Sequence, residues 1–147
     1  MRKWTATTLV VVALGLGASS ALASEWVDLA SRKVKKHFED EKTQVNVAKS
    51  ILNCTHPTGD DPTFVSAETY TDADDDKVLL VVITIKWKGG LTGSKYKTSV
   101  TWRCKKGKHI DAVVSSDESI IPVSKSNKSK LDDYFSELAE SFFPGHN

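Results

Sequence analysis

Two strand-like runs, Lys77 to Lys88 and the cleanly alternating Ser94 to Lys105, stand five residues apart across Gly89-Gly90-Leu91-Thr92-Gly93. Period-two alternation puts successive side chains on opposite faces of a strand, and a short glycine-rich connection returns the chain beside itself, so this stretch predicts an antiparallel hairpin with one apolar face. That face carries Leu79, Val81, Ile83, Ile85 and Trp87 on the first run and Tyr96, Thr98, Val100, Trp102 and Cys104 on the second. Bringing the two apolar sets together requires cross-strand pairs such as Ile83 with Val100.

The hairpin extends on both sides. Thr63 to Thr71 is rich in strand formers and reaches Lys77 through the acidic turn Asp72-Ala73-Asp74-Asp75-Asp76, and Lys108 to Ser115 follows the Lys106-Gly107 turn. All three connections are hairpin-length, which predicts a four-stranded antiparallel meander in the order 1-2-3-4. Before it, Trp26, Ala30, Val34 and Phe38 recur at a spacing of i+4, widened by Leu29, with Arg32, Lys33, Lys35 and Lys36 facing away. A second helical stretch presents Val45, Ala48, Ile51 and Leu52, either continuous with the first or kinked near Lys42-Thr43, and ends ahead of His56-Pro57. After the meander, Leu131, Phe135, Leu138 and Phe142 mark a helix beginning near Ser126-Asn127 and stopped by Pro144-Gly145. The prediction is an α+β domain: an N-terminal helix or helix pair, the meander, and a C-terminal helix. This order of elements resembles the cystatin-like and NTF2-like layouts of small α+β folds; the likeness is one of shape and carries no functional residue.

The first 23 residues read as a secretory signal. Arg2 and Lys3 precede the apolar Leu9 to Ala18, and Ala21-Leu22-Ala23 supplies small residues for cleavage. The apolar run is shorter than the ~20 residues that span a bilayer. The expectation is an exported product, periplasmic or secreted, that starts at Ser24, forms a single domain over 24–147 and has no membrane span. Removing Arg2 and Lys3 would take the formal charge from +1 to −1, a balance unsuited to a general polyanion binder and, in an exported protein, to nucleic acid.

In an oxidising compartment two cysteines usually pair. Cys104 falls on the apolar face of its strand and Cys54 at the end of a helix that must cover that face, so an intramolecular Cys54–Cys104 disulfide is expected, stabilising by ~4 kcal/mol in the chain-entropy account. No C-x-x-C motif is present to suggest thiol exchange.

Charge is segregated along the chain. Residues 50–76 hold seven acidic residues and no Lys or Arg, whereas residues 77–110 hold eight Lys and Arg103 and no acidic residue. The core phase turns Lys86, Lys88, Lys95 and Lys97 onto the face away from the helices, with Lys86 opposite Lys97 and Lys88 opposite Lys95. Like charges facing each other across strands cost stability, which a bound anion or an acidic protein partner would relieve. The open face also bears Val78, Leu80 and Val82, which asks for a cover at that end; Ile120-Ile121-Pro122-Val123, the last helix or another molecule could supply it.

Arg103, His109 and Asp111 form a second candidate set. Pairing Ile110 and Ala112 with the Trp102 side turns His109 and Asp111 toward Arg103, and a His beside an Asp can act as a general base. No nucleophile motif accompanies them, and Asp111 is equally a salt-bridge partner for Arg103. The aspartates from Asp72 open with calcium-loop spacing but place Lys77 where the loop needs Gly and Ile83 where it needs Glu, so they read as a solvated turn. His37, His56 and His146 lack ligand spacing, and no cofactor or metal is expected. The leading functional expectation is a small exported binding or accessory domain for an anionic ligand or protein partner. A small enzyme with a pocket around Arg103, His109 and Asp111, and a structural or inhibitor-type module, are the alternatives.

Overall fold

The computed structural model describes residues 24–116 and 123–145; the expected signal segment and Ile120 to Pro122 lie outside them. The elements run α1 (Glu25–His37), α2 (Glu41–Thr55), β1 (Asp60–Thr71), β2 (Val78–Gly89), β3 (Ser94–Lys105), β4 (Lys108–Ser116) and α3 (Lys125–Phe142). The α+β layout is as expected: two N-terminal helices, a four-stranded antiparallel sheet in the order β1-β2-β3-β4, and a C-terminal helix. Among the described residues no helix is long and apolar enough to cross a membrane.

The two N-terminal helices separate where capping chemistry makes the break. Ser24 Oγ accepts from Val27 N–H at 3.2 Å to start α1, and Asp40 Oδ2 accepts from Thr43 N–H at 3.1 Å to start α2. Each cap satisfies an amide that the first helical turn leaves without a partner, and Asp40 in an extended conformation ends any continuity with α1. The break therefore falls at Phe38 to Asp40, just before the expected kink.

All three helices lie on one face of the sheet. Val27, Ala30 and Val34 of α1, Val47, Ala48, Ile51 and Leu52 of α2, and Leu131, Phe135, Ala139 and Phe142 of α3 join Leu79, Val81, Ile83, Ile85, Trp87, Val100 and Trp102 in one core. β2 and β3 pair without interruption from Val78↔Lys105 to Gly89↔Ser94, and Ile83 meets Val100 as the alternation requires. Irregularities are confined to the outer pairings: β1 slips against β2 between Asp60 and Thr63 and again between Phe64 and Ser66, and β4 bulges where Arg103 gives way to Cys104.

On the other face Val78 and Leu80 are only 3% and 5% exposed. Leu80 is flanked in the sheet by Tyr70 and Arg103. The last helix packs on the opposite side, against Trp102, and is not the cover for this end.

The expected disulfide is absent: Cys54 and Cys104 are both buried free thiols. The shared face was read correctly, but the position along it was not. Cys54 lies two residues before His56, whose ring stacks on Trp87 at 4.8 Å, near the β2–β3 turn. Cys104 pairs with Leu79, eight residues along β2 from Trp87, which at ~3.3 Å per residue is about 26 Å. A disulfide needs Cα atoms within about 7 Å.

Gly59 shows how tightly the Trp87 end is packed. A Cβ there would run into the Trp87 indole and lie 3.0 Å from Leu52 Cδ1. Gly59→Ala is expected to destabilise the fold by about 1–3 kcal/mol through overpacking, read as a lower urea midpoint at unchanged slope. An unshifted midpoint would mean the indole is not held against the chain there.

Candidate functional site

The face away from the helices is organised by rows that run across the strands. At one end Tyr70, Leu80, Arg103 and Asp111 stand side by side; in the middle Ser66, Thr84, Ser99 and Ser115 form a hydroxyl row; at the other end Lys86 faces Lys97 and Lys88 faces Lys95. Thr84 and Ser99 share a hydrogen bond of 2.8 Å. The four lysines are exposed, as their register predicts. Lys88 Nζ lies 3.7 Å from Asp61 Oδ2, with both side chains half or more exposed, so that pair is worth about 0–1 kcal/mol. A matching contact ties the opposite end, where Lys105 Nζ donates to Asp75 Oδ2 at 3.0 Å. The Lys77 amide and then Lys105 hold the Asp75 carboxyl below its ordinary range.

Beneath the lysines the sheet is rigidly built. Trp87 Nε1–H donates to Thr98 Oγ1 at 3.0 Å, and Thr98 Oγ1 lies 3.1 Å from Ser116 Oγ, so a buried indole and two hydroxyls link β2, β3 and β4. Above them the turn reverses through Gly90 and Gly93, at φ +77° and +69°, backbone conformations that favour glycine. Leu91 stands between them with its side chain wholly exposed, at 108% relative accessibility.

The second candidate set is divided. Arg103 and Asp111 do meet, in a bidentate pair of 2.8 Å from Nε to Oδ1 and 3.1 Å from Nη2 to Oδ2. That carboxylate raises the guanidinium pKa above its ordinary value, and the pair has the geometry of a structural ion pair. His109 is not with them. The bulge at the Arg103/Cys104 step inserts one extra β4 residue, Ile110, so His109 pairs with Cys104 on the helix face while Asp111 stays with Arg103 on the other. Ile110 is left 41% exposed.

On the helix face His109 Nε2 lies 3.0 Å from Asp132 Oδ1, and Lys128 Nζ donates to Asp132 Oδ2 at 2.9 Å. Burial pushes the Asp132 carboxyl up, but the hydrogen bonds from Lys128 and His109 outweigh it and hold the carboxyl below its ordinary range. His109 Nδ1 is buried without a hydrogen-bond partner. A thiol, an imidazole and a carboxylate thus occur in sequence from Cys104 to Asp132. Cys104 is completely buried and its pKa is raised by desolvation, so it stays a thiol rather than the thiolate that nucleophilic attack needs.

Asp132 was not singled out from the sequence. Its i,i+4 spacing from Lys128 is legible there, but its contact with His109 depends on the bulge. Leu91 was read only as part of a turn. Comparison with known proteins finds no match: no family model matches the chain, and neither a curated protein nor a solved structure does.

Proposed function

We propose that this protein is an exported binding domain that holds an anionic ligand or acidic partner at the lysine end of its open sheet face. The observation that carries this reading is the register Lys86↔Lys97 and Lys88↔Lys95, which sets like charges directly opposite one another in the most regular pairing of the sheet. Such neighbours repel, and a bound anion would relieve that repulsion. The segregation of Arg103–Asp111 from His109 leaves the enzyme alternative without a shared site.

The test separates stability from binding. Lys86→Gln with Lys97→Gln removes one like-charged pair, so the melting temperature is expected to hold or rise slightly. Binding to poly-glutamate, used as a defined acidic probe, is expected to weaken about tenfold, on the order of 0.7 kcal/mol per lysine. Wild-type binding should itself fall as salt shortens the ~8 Å screening length. Binding that survives the double substitution with its salt dependence unchanged would remove the patch from the function.

A further inference from the structure

We propose that the β2–β3 hairpin docks on a membrane surface rich in anionic lipid, with Leu91 entering the headgroup boundary and Lys86, Lys88, Lys95 and Lys97 lying over the lipid phosphates. This deepens the binding reading above and rests on it. The argument begins at the tip. Leu91 is the most exposed large apolar residue of the described chain, at 108%, and no other side chain shelters it. The two glycines that bracket it, Gly90 and Gly93, have open space where a Cβ would stand, so the turn is a slim, convex projection.

A lone leucine on a convex tip suits a fluid interface better than a protein surface. Protein partners gain most from anchors that fill a packed pocket and are ringed by contacts that exclude water. A lipid headgroup layer deforms around a narrow tip and needs no matching pocket.

The charges are placed for the same surface. Gly89↔Ser94 is the last pair of the hairpin, Lys88↔Lys95 the next, and Lys86↔Lys97 two pairs further down. At ~3.4 Å per residue the lower pair sits about 10 Å below the last pair, beyond the ~8 Å screening length by its backbone, so Lys88 and Lys95 lie nearest the surface and Lys86 and Lys97 approach it only along their flexible stems. Among the described residues Asp60 pairs with Lys88 in register and Asp61 meets Lys88 at 3.7 Å, so carboxylates stand beside one of the four exposed lysines. Below the tip, the Trp87–Thr98 hydrogen bond of 3.0 Å ties the stem to the rest of the sheet, so the tip is presented on a rigid base.

The test uses the chain from Ser24 onward, which carries every described element and the whole core, with vesicles of phosphatidylcholine alone or mixed with phosphatidylglycerol. Co-sedimentation at low salt is expected with the mixed vesicles and not with phosphatidylcholine alone. Lys88→Gln with Lys95→Gln should weaken partitioning about 25-fold, and Leu91→Ser, at the exposed tip of the turn, about tenfold with an unchanged melting temperature. If the lysine variant loses binding while Leu91→Ser keeps it in full, tip insertion is overturned and the anionic-ligand reading stands. Failure to bind mixed vesicles while salt-sensitive binding to poly-glutamate persists would overturn the membrane and point to an acidic protein partner. Binding to neither probe would overturn both readings.

Discussion

Truncating Trp102 to alanine is expected to cost about 3–5 kcal/mol, the largest loss of any single core substitution. The side chain is completely buried, and its ring lies 5.0 Å from that of Phe135, 6.0 Å from Phe142 and 6.2 Å from Phe143. It joins β3 to α3 across the layer interface, so its removal leaves a cavity that two rigid elements must collapse to fill. A domain of this size is stable by roughly 5–15 kcal/mol, so the variant should be close to unfolding at moderate temperature. Trp102→Phe should lose much less. The indole Nε1–H is buried without a hydrogen-bond partner, and phenylalanine removes that donor together with part of the volume. Denaturant midpoints for the two variants test this, and an alanine variant as stable as the wild type would mean that the helical layer is not packed on the sheet.

Stability is also expected to fall steeply above about pH 9. Desolvation raises the Cys104 pKa strongly and the Cys54 pKa as well, and burial pushes Tyr134 up to about 12. A group whose pKa is raised by folding contributes its full share of stability below its unfolded pKa. That share is lost as pH climbs toward the folded value, because the unfolded chain gives up its proton first. Each such group contributes a slope of up to ~1.4 kcal/mol per pH unit, beginning near pH 9 for the thiols and near pH 10 for tyrosine. Cys104→Ala should be less stable at neutral pH because of its cavity, but its stability should fall less steeply between about pH 9 and pH 11. A disulfide has no thiol proton and would give no cysteine slope, so the same measurement checks the two free thiols. Wild type and C104A with identical slopes would refute the buried-thiol account.

What could be read from the sequence followed from period two, and what could not followed from distances that period does not encode. The clean alternation of Ser94 to Lys105 and the apolar phase of its partner run leave little choice of register across a short turn, and Ile83 meets Val100 as that phase demands. The helical stripes were legible only to within a residue or so. Val27 and Val47 are buried while Leu29 and Val45 are 40% and 44% exposed, because at 100° per residue a neighbouring apolar position can extend a stripe on either side. Alternation assigns a face but says nothing about height, so it placed Cys54 and Cys104 on the same side and missed their separation along the sheet. It also has no means of seeing a single extra residue. Ile110 in the bulge sent His109 to Asp132 and left Arg103 and Asp111 as a pair, which the sequence had offered as a trio. The lysine end was legible because it depends on register alone. Leu91 was not, since a turn residue carries no periodic signal to mark its exposure.

The unbroken central pairing and the broken outer ones bear on how many of these molecules can share one place. A sheet that never closes into a barrel has two rims, and a rim with regular spacing invites a strand from a neighbour. β1 slips register twice and carries Pro62 and a left-handed Asp61 at φ +53°, while β4 is bent by its extra residue. Each rim is broken at one end and regular over the rest, from Ser66 to Thr71 on β1 and from Asp111 to Ser116 on β4. A strand from a neighbouring copy would meet a register break at each rim, which shortens the run along which crowded molecules can pair.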